Sequence, residues 1–148
     1  ASDPYLPRDE IAAHGAEPVE LDDLFTRADV VTLHAPGGRR IADDRRLALL
    51  PRGAVVVNTA RPDLVDEDAL AAQLRSGALG AYAADVLTGD TAGHDSPVLA
   101  LELAGRVVIT PHLGAQTTQA VDNMGTLALD DALAVLEGAS PRHPVNTV

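Results

Sequence analysis

Residues 54–61 read Ala-Val-Val-Val-Asn-Thr-Ala-Arg, and this stretch decides the fold class. A continuous run of valines that ends in polar residues is typical of a parallel strand covered by helices on both faces. We assign the strand itself to residues 54–58. Three further runs have the same character, namely VVTLH at 30–34, AYAADV at 81–86 and RVVIT at 106–110. The chain therefore contains four predicted strands.

Helical segments with readable ends separate these strands. Pro51 and Gly53 stop one of them before the second strand, and acidic residues in the first turn of another favour the positive end of its helix dipole. The predicted helices cover residues 21–27, 43–50, 66–76 and 117–137. The last one offers four leucines for a buried stripe, at positions 127, 129, 133 and 136. Alternating strands and helices predict an α/β fold with a parallel sheet.

Composition narrows the function classes. The chain has 148 residues, of which 46% are hydrophobic, and a formal charge of −11 with 11 basic residues, all arginine. Such an acidic surface repels phosphate backbones and anionic lipid, so nucleic acid and membrane are not expected as partners. The absence of cysteine excludes disulfides and Cys-ligated metal sites, and we expect no metal. A soluble, cytoplasmic protein with one ordinary domain is the expectation.

Polar residues follow the predicted strands at their carboxyl ends, where ligands bind in open α/β sheets. Arg61 follows the second strand, Asp85 and Asp90 follow the third, and His112 follows the fourth. A guanidinium can hold a substrate carboxylate through two hydrogen bonds. An imidazole can move a proton near neutral pH, and a carboxylate can orient it. These residues therefore predict a site at one edge of the sheet. However, no Gly-x-Gly-x-x-Gly loop follows any predicted strand.

The letters around these residues carry a resemblance. They are NTARPDLVD at 58–66, DV at 85–86 and TPHLGA at 110–115, with DPY at 3–5, ADVVTLHAP at 28–36 and PVN in the tail. In this order and spacing they resemble the D-isomer-specific 2-hydroxyacid dehydrogenases, of the phosphoglycerate dehydrogenase type. The resemblance covers essentially the whole chain. It implies a Rossmann-like parallel sheet flanked by helices, and NAD as the cofactor.

The same resemblance implies roles for individual residues. Arg61 matches the arginine that binds the 2-oxo acid, His112 the general acid/base, and Asp90 the acid that orients this histidine. Asp85 matches the acid that binds the nicotinamide carboxamide, and Asp3 the acid that accepts hydrogen bonds from the adenosine ribose. Further matches line the cofactor cleft: His34, Ala35, Pro36, Thr59, Ala60, Gly114 and Ala115.

Three departures from the family pattern stand beside these matches. The family has Glu at the position of Asp90 and Gly at the position of Pro62, which fixes φ and removes an N–H. The loop after Pro36 reads Gly-Gly-Arg-Arg and is shorter than usual. Two functions therefore stay open. One is hydride transfer between NAD(H) and a small D-2-hydroxy acid or 2-oxo acid, in an enzyme that is usually dimeric. The other is a truncated or inactive relative acting as a nucleotide-binding or protein-interaction module.

The resemblance also implies a domain organisation. Residues 1–148 correspond to a partial NAD-binding domain without its first βα unit, and residues 113–148 to the C-terminal helix and tail that pack back on the substrate domain. We take 30–34 as the family's third strand, which the missing first strand would separate from 54–58. The chain is therefore expected to be a fragment, or to fold only with a rearranged strand order that makes these two strands neighbours.

Overall fold

The computed structural model of the chain describes residues 1–89 and 95–145. The chain divides into two units, Ala1–His112 and Leu113–Val148. The first unit contains the sheet and four α-helices, and the second contains a single long helix. Within the part of the chain described, no helix is both long and apolar enough to cross a membrane.

The four predicted strands form one parallel sheet. They are β1 (Val30–Leu33), β2 (Val55–Asn58), β3 (Ala81–Ala84) and β4 (Val107–Ile109), each one or two residues shorter than predicted. Their order across the sheet is β1-β2-β3-β4, the order in which they occur along the chain. Each strand alternates between more and less buried residues, and the buried ones include Val31, Leu33 and Val56. The predicted α/β class is confirmed.

Strands β1 and β2 are direct neighbours. Their pairing runs from Val30 opposite Val55 to Leu33 opposite Asn58. No strand lies between them. Because β1 and β4 are the edge strands, a further strand could pair with this sheet only at the outer edge of β1 or of β4. This direct pairing leaves no place for a further strand between residues 30–34 and 54–58.

Four α-helices accompany the sheet in the first unit. They are α1 (Arg8–Ala13), α2 (Leu21–Arg27), α3 (Asp44–Leu47) and α4 (Glu67–Ser76). Helix α2 has the predicted bounds, whereas α3 is shorter than predicted and α1 was not predicted. Three short 3-10 helices complete this unit, at Pro62–Leu64, Pro97–Leu99 and Leu101–Leu103.

Helix α4 shows how the local sequence sets helix ends. The side chain of Asp66 accepts a hydrogen bond from the backbone N–H of Ala69 at 3.1 Å, which caps the first turn. Gly77 ends the helix with φ of 74°, a left-handed conformation that glycine adopts without strain. Between these ends, Leu70 and Leu74 are fully buried and join the core formed with the sheet. The buried face fixes the position of the helix beside the sheet edge described below.

The second unit contains α5 (Thr118–Leu136), whose N-cap Thr117 accepts a hydrogen bond from the N–H of Ala120 at 3.1 Å. The prediction of a buried leucine stripe is wrong for this chain, because no residue of α5 is buried. Leu129 and Leu136, for example, are 59% and 83% exposed. The unit consists of one helix and its flanking segments, so it offers no second element against which the leucines could pack. Its packing on a substrate domain stays a prediction.

Candidate active site

The strand register brings most of the predicted site residues to one edge of the sheet. Leu33, Asn58, Ala84 and Ile109 form the last aligned row of residues across the four strands. The residues that follow this row are His34, Thr59, Asp85 and Thr110. Arg61 and His112 each lie three residues beyond the row, on the continuations of β2 and β4. The predicted common edge is therefore present in the structure.

Asn58 shapes the turn that carries Arg61. Its amide is fully buried, donates to the backbone oxygen of Arg61 at 2.8 Å and accepts from the N–H of Ala60 at 3.1 Å. Pro62 then occupies the first position of a 3-10 helix, where the missing N–H costs no intrahelical bond. The guanidinium of Arg61 is exposed at the sheet edge and donates to the backbone oxygen of Ala60. The turn thus presents a cation towards solvent, where an anionic group can reach it.

The glycine loop after β1 packs against the stem of Arg61. The N–H of Gly38 donates to the carboxylate of Asp63 at 2.6 Å. Gly37 has φ of +90°, and a Cβ placed there would lie 3.1 Å from Cγ of Arg61 and 3.0 Å from Oδ1 of Asp63. Only glycine fits this position without moving its neighbours. The shortened loop therefore helps to define where the Arg61 side chain stands.

Asp85 is held at the end of β3 by bonds from both neighbouring strands. Its N–H donates to the backbone oxygen of Asn58 at 3.1 Å, and its carboxylate accepts a hydrogen bond from the hydroxyl of Thr110. The residue is only 8% exposed. A carboxylate fixed in this way presents an acceptor of defined direction to a ligand at the sheet edge.

His112 has an unusual backbone conformation. Its φ of 55° makes it the one non-glycine residue with positive φ in the described chain, and its N–H donates to the backbone oxygen of Thr110 at 3.0 Å. Left-handed conformations are uncommon for side chains other than Asn, Asp and His. Backbone strain of this kind concentrates at functional sites, where surrounding structure holds it in place.

A cavity of about 190 Å³ joins Asp85 and His112. It is bounded by the ends of β3 and β4 and by the 3-10 helix Pro97–Leu99, and its lining residues are Asp85, Leu87, Leu99, Ile109, Thr110, Pro111 and His112. Arg61 is not among these residues. It lies on the far side of β3, and two strand spacings give a separation of about 10 Å between the ends of β2 and β4. The structure thus places an acid and a histidine in one cavity, with the arginine on the same edge of the sheet.

The cavity suits the nicotinamide end of NAD. Leu87, Leu99 and Ile109 supply apolar walls for a flat ring, and Asp85 supplies an acceptor for the N–H₂ group of a carboxamide. His112 borders the same space. The residues present therefore fit the cofactor that the sequence predicts at this end.

The other predicted cofactor contacts are less defined. Oδ1 of Asp3 accepts hydrogen bonds from the N–H groups of Tyr5, at 2.7 Å, and Leu6, at 3.3 Å, which form an Asx turn with an exposed carboxylate. The ring of His34 lies 3.0 Å from the hydroxyl of Thr32 and is exposed, while Ala35 is half-buried and Pro36 is exposed. Their contacts with the cofactor stay predictions.

Gly114 and Ala115 belong to the second unit, where they are exposed and precede α5. Asp90 lies outside the described residues, so its part in orienting His112 stays a prediction. No group of three or more metal-binding side chains occurs within residues 1–89 and 95–145.

Two side chains that support the cavity were not predicted from the sequence. In the sequence, Thr110 is one residue of the motif TPHLGA, and Glu67 is one of several acidic residues at the start of a predicted helix. Glu67 is 6% exposed and accepts hydrogen bonds from Thr88 and Ser96, residues 21 and 29 positions further along the chain. A buried carboxylate is uncommon unless it is paired or hydrogen-bonded, but burial at this position could not be read from the sequence.

The fold is a parallel α/β domain with polar side chains at the carboxyl edge of its sheet, where ligands bind in folds of this class. Residues 1–114 match the family described as "D-isomer specific 2-hydroxyacid dehydrogenase, NAD binding domain". The chain belongs to this family, and NAD is its cofactor.

Individual relatives agree with this assignment. The chain is 40% identical to D-3-phosphoglycerate dehydrogenase of Mycobacterium tuberculosis over 99% of its own length, and 36% identical to the enzyme of that name from Methanocaldococcus jannaschii over 97%. It superposes on the D-lactate dehydrogenase of Aquifex aeolicus, solved with NAD and lactic acid, with a TM-score of 0.83 and 26% identity over 93% of this chain. The chain spans 28% of the length of both phosphoglycerate dehydrogenases and 45% of the lactate dehydrogenase.

These superpositions correct the predicted strand order. A TM-score of 0.83 over 93% of the chain requires no rearrangement of the sheet. In the order 3-2-1-4-5-6 of the doubly wound fold, the third and fourth strands are not neighbours, whereas each strand from the fourth onward pairs with the next strand along the chain. Strand β1 is therefore equivalent to the fourth strand, not the third. The predicted separation of residues 30–34 from 54–58, and the rearrangement meant to relieve it, are both wrong.

Proposed function

We propose that the chain is part of an enzyme that transfers a hydride between NAD(H) and a small D-2-hydroxy acid or 2-oxo acid. The observation that carries this proposal is the cavity shared by Asp85 and His112, with Arg61 on the same edge of the sheet. The names of the relatives support the substrate class, because D-3-phosphoglycerate and D-lactate are both small 2-hydroxy acids.

Each residue has a chemical task in this reaction. NADH, when bound, supplies the hydride for the carbonyl carbon of the 2-oxo acid. Protonated His112 donates its proton to the carbonyl oxygen, so that a hydroxyl forms, and neutral His112 accepts this proton in the reverse direction. Arg61 holds the substrate carboxylate through paired hydrogen bonds. Asp90 orients His112.

On the cofactor side, Asp85 accepts a hydrogen bond from the carboxamide and so fixes which face of the nicotinamide meets the substrate. Asp3 binds the adenosine ribose hydroxyls and would repel a 2′-phosphate, which favours NAD over NADP. His34, Ala35, Pro36, Thr59 and Ala60 line the cleft from β1 and β2, and Gly114 and Ala115 lie beside the nicotinamide.

A second candidate function is nucleotide binding or protein interaction without turnover. Two departures from the family pattern favour it, namely Asp90 in place of Glu and Pro62 in place of Gly. Pro62 fits its 3-10 helix, so this substitution leaves the turn at Arg61 intact. The hydride-transfer proposal therefore has the stronger support.

We also propose that the protein is cytoplasmic and works as a homodimer. The lack of cysteine agrees with a protein that needs no disulfides. The exposed apolar residues of α5, such as Leu129 and Leu136, are suited to contact with another protein surface. Light scattering coupled to size-exclusion chromatography tests the dimer, and a monomer at micromolar concentration would contradict it.

The experiment that tests the main proposal has two parts, and both use the full-length protein. Fluorescence titration with NADH measures cofactor binding, and loss of NADH absorbance measures turnover of small 2-oxo acids such as pyruvate and phosphohydroxypyruvate. Hydride transfer predicts both binding and turnover. Binding without turnover of any small 2-oxo acid would support the second candidate, and no binding would contradict both.

A further inference from the structure

Glu67 joins two segments that have no direct strand pairing with each other. One carboxylate oxygen accepts the backbone N–H of Thr88 at 2.9 Å, just after β3. The other accepts the hydroxyl of Ser96 at 2.6 Å, just before the 3-10 helix Pro97–Leu99. Glu67 is 6% exposed and Ser96 is 7% exposed, so the bond between them is buried, whereas the bond from Thr88 is part-buried. Hydrogen bonds to a buried, charged acceptor are among the stronger ones in proteins.

The backbone around Glu67 holds this carboxylate in place. Glu67 is the first residue of α4, directly after the capping residue Asp66. One turn further, Leu70 is fully buried and anchors the helix to the core. The carboxylate is therefore presented from a rigid element.

Both segments that Glu67 holds are walls of the cavity. Thr88 directly follows Leu87, which lines the cavity beside Asp85. The Ser96 hydroxyl also accepts the N–H of Val98 at 3.4 Å and so caps the 3-10 helix that ends in Leu99, another residue that lines the cavity. Glu67 thus bonds to both of the segments that contribute these apolar residues to the cavity.

We propose that Glu67 is a positioning residue for the nicotinamide end of the cofactor. It acts by fixing Leu87 and Leu99 at the separation that a flat ring requires, and it touches neither cofactor nor substrate. This inference rests on the proposed function, because it takes the cavity as the nicotinamide pocket. It adds a residue on α4 to a site otherwise built from the ends of the strands.

The test compares the Kd for NADH with the Kd for ADP-ribose, which lacks the nicotinamide ring, in the full-length protein. Glu67→Ala removes both hydrogen bonds and should raise the Kd for NADH about tenfold while leaving the Kd for ADP-ribose within about twofold. Ser96→Ala removes only the hydroxyl bond and should have a smaller effect in the same direction. Glu67→Gln keeps one acceptor oxygen, so its Kd for NADH should lie between those of the unsubstituted protein and Glu67→Ala.

Arg75→Ala is the matched control. Arg75 also ties α4 to the segment after Ser96, through Glu102 at 3.0 Å and the backbone oxygen of Pro97 at 3.5 Å, but from the last turn of the helix and on the surface. Removing this link should leave the Kd for both ligands unchanged. A general loosening of α4 would instead make the control resemble Glu67→Ala.

Without any ligand, hydrogen exchange measures the Thr88 bond directly and the Ser96 bond indirectly, through the Val98 amide that Ser96 caps. The amides of Thr88 and Val98 should exchange at least about tenfold faster in Glu67→Ala than in the unsubstituted protein. Unchanged exchange, or an equal loss of NADH and ADP-ribose binding, would overturn the role of Glu67 while leaving the proposed function intact. Failure of the unsubstituted protein to bind NADH would overturn the proposed function and this inference with it.

Discussion

The hydroxyl of Thr110 donates a hydrogen bond to the carboxylate of Asp85, which links the carboxyl ends of β4 and β3. The backbone already joins these strands, since the N–H of Thr110 donates to the oxygen of Ala84 at 2.9 Å. The side-chain bond also orients the carboxylate of Asp85. It occupies part of the acceptor capacity of Asp85 and turns the carboxylate, so that the cavity receives an acid of fixed orientation.

Thr110→Val tests this orientation. Valine keeps the branched shape but cannot donate, so the carboxylate of Asp85 loses one of its partners and we expect the Kd for NADH to rise about tenfold. Calorimetric titration gives the value. Thr110→Ser retains the hydroxyl and should bind NADH nearly as well as the unsubstituted protein. Equal affinity in the valine and serine variants would show that the bond does not serve the cofactor.

The packing of the glycine loop on Arg61 predicts an effect on substrate binding. In Gly37→Ala the new methyl group displaces the stem of Arg61 or the carboxylate of Asp63, and we expect KM for the 2-oxo acid to rise about tenfold. Gly38→Ala is the control, because Gly38 also has a positive φ, of +80°, but its added methyl group would meet nothing within 4 Å. Comparing KM for the two variants separates the effect of the contact with Arg61 and Asp63 from the effect of backbone strain, which both variants share. A similar KM in the two variants would refute the positioning of Arg61 by this loop.

Another glycine predicts an effect on stability alone. A Cβ on Gly80 would overlap the backbone oxygen of Gly53 and lie 3.0 Å from its carbonyl carbon. Because backbone atoms cannot move aside as a side chain can, Gly80→Ala should destabilise the fold by about 1–3 kcal/mol. Gly105→Ala, with nothing within 4 Å, serves for comparison in urea unfolding. Equal midpoints for the two variants would contradict the close approach.

Asp22 predicts a pH dependence. Hydrogen bonds from Arg45 and Arg46 lower the pKa of the Asp22 carboxyl to about 2, below its value in the unfolded chain. Its stabilising contribution is therefore complete above the unfolded pKa and disappears as the pH falls through the folded one. We expect Asp22→Asn to lower Tm at pH 7 and to have little effect near pH 2. The neighbouring exposed residue Asp23, changed to Asn, provides the control. A pH-independent Tm difference for Asp22→Asn would contradict the ion-pair explanation.

The strands and the site edge could be predicted because their signals are local. The valine run at Val55–Asn58 and the acidic first turn of α4 each depend on a few adjacent residues. The convergence of Asp85, Arg61 and His112 follows from parallel strands ending at one edge. Helix α1 was not predicted, because its six residues bury only Ile11 and show no apolar periodicity.

Contacts distant in sequence could not be predicted. The bonds of Glu67 to Thr88 and Ser96 span 21 and 29 residues, and that of Thr110 to Asp85 spans 25. No local pattern marks which acid or hydroxyl is buried. The strand order was misassigned for a related reason. The sequence shows four apolar strands in succession but not which strand of the family's sheet comes first. Taking β1 as the family's third strand instead of its fourth placed it on the wrong side of the family's first strand.

The central claim is that His112 transfers the proton that accompanies hydride transfer, and the most direct measurement is the activity of His112→Ala beside its affinity for NADH. Loss of a general acid/base lowers kcat by about 10²- to 10⁴-fold, and the Kd for NADH should change by no more than about twofold. His14→Ala, which removes an exposed histidine at the end of α1, should leave both values unchanged. A His112→Ala enzyme with full turnover would contradict the account.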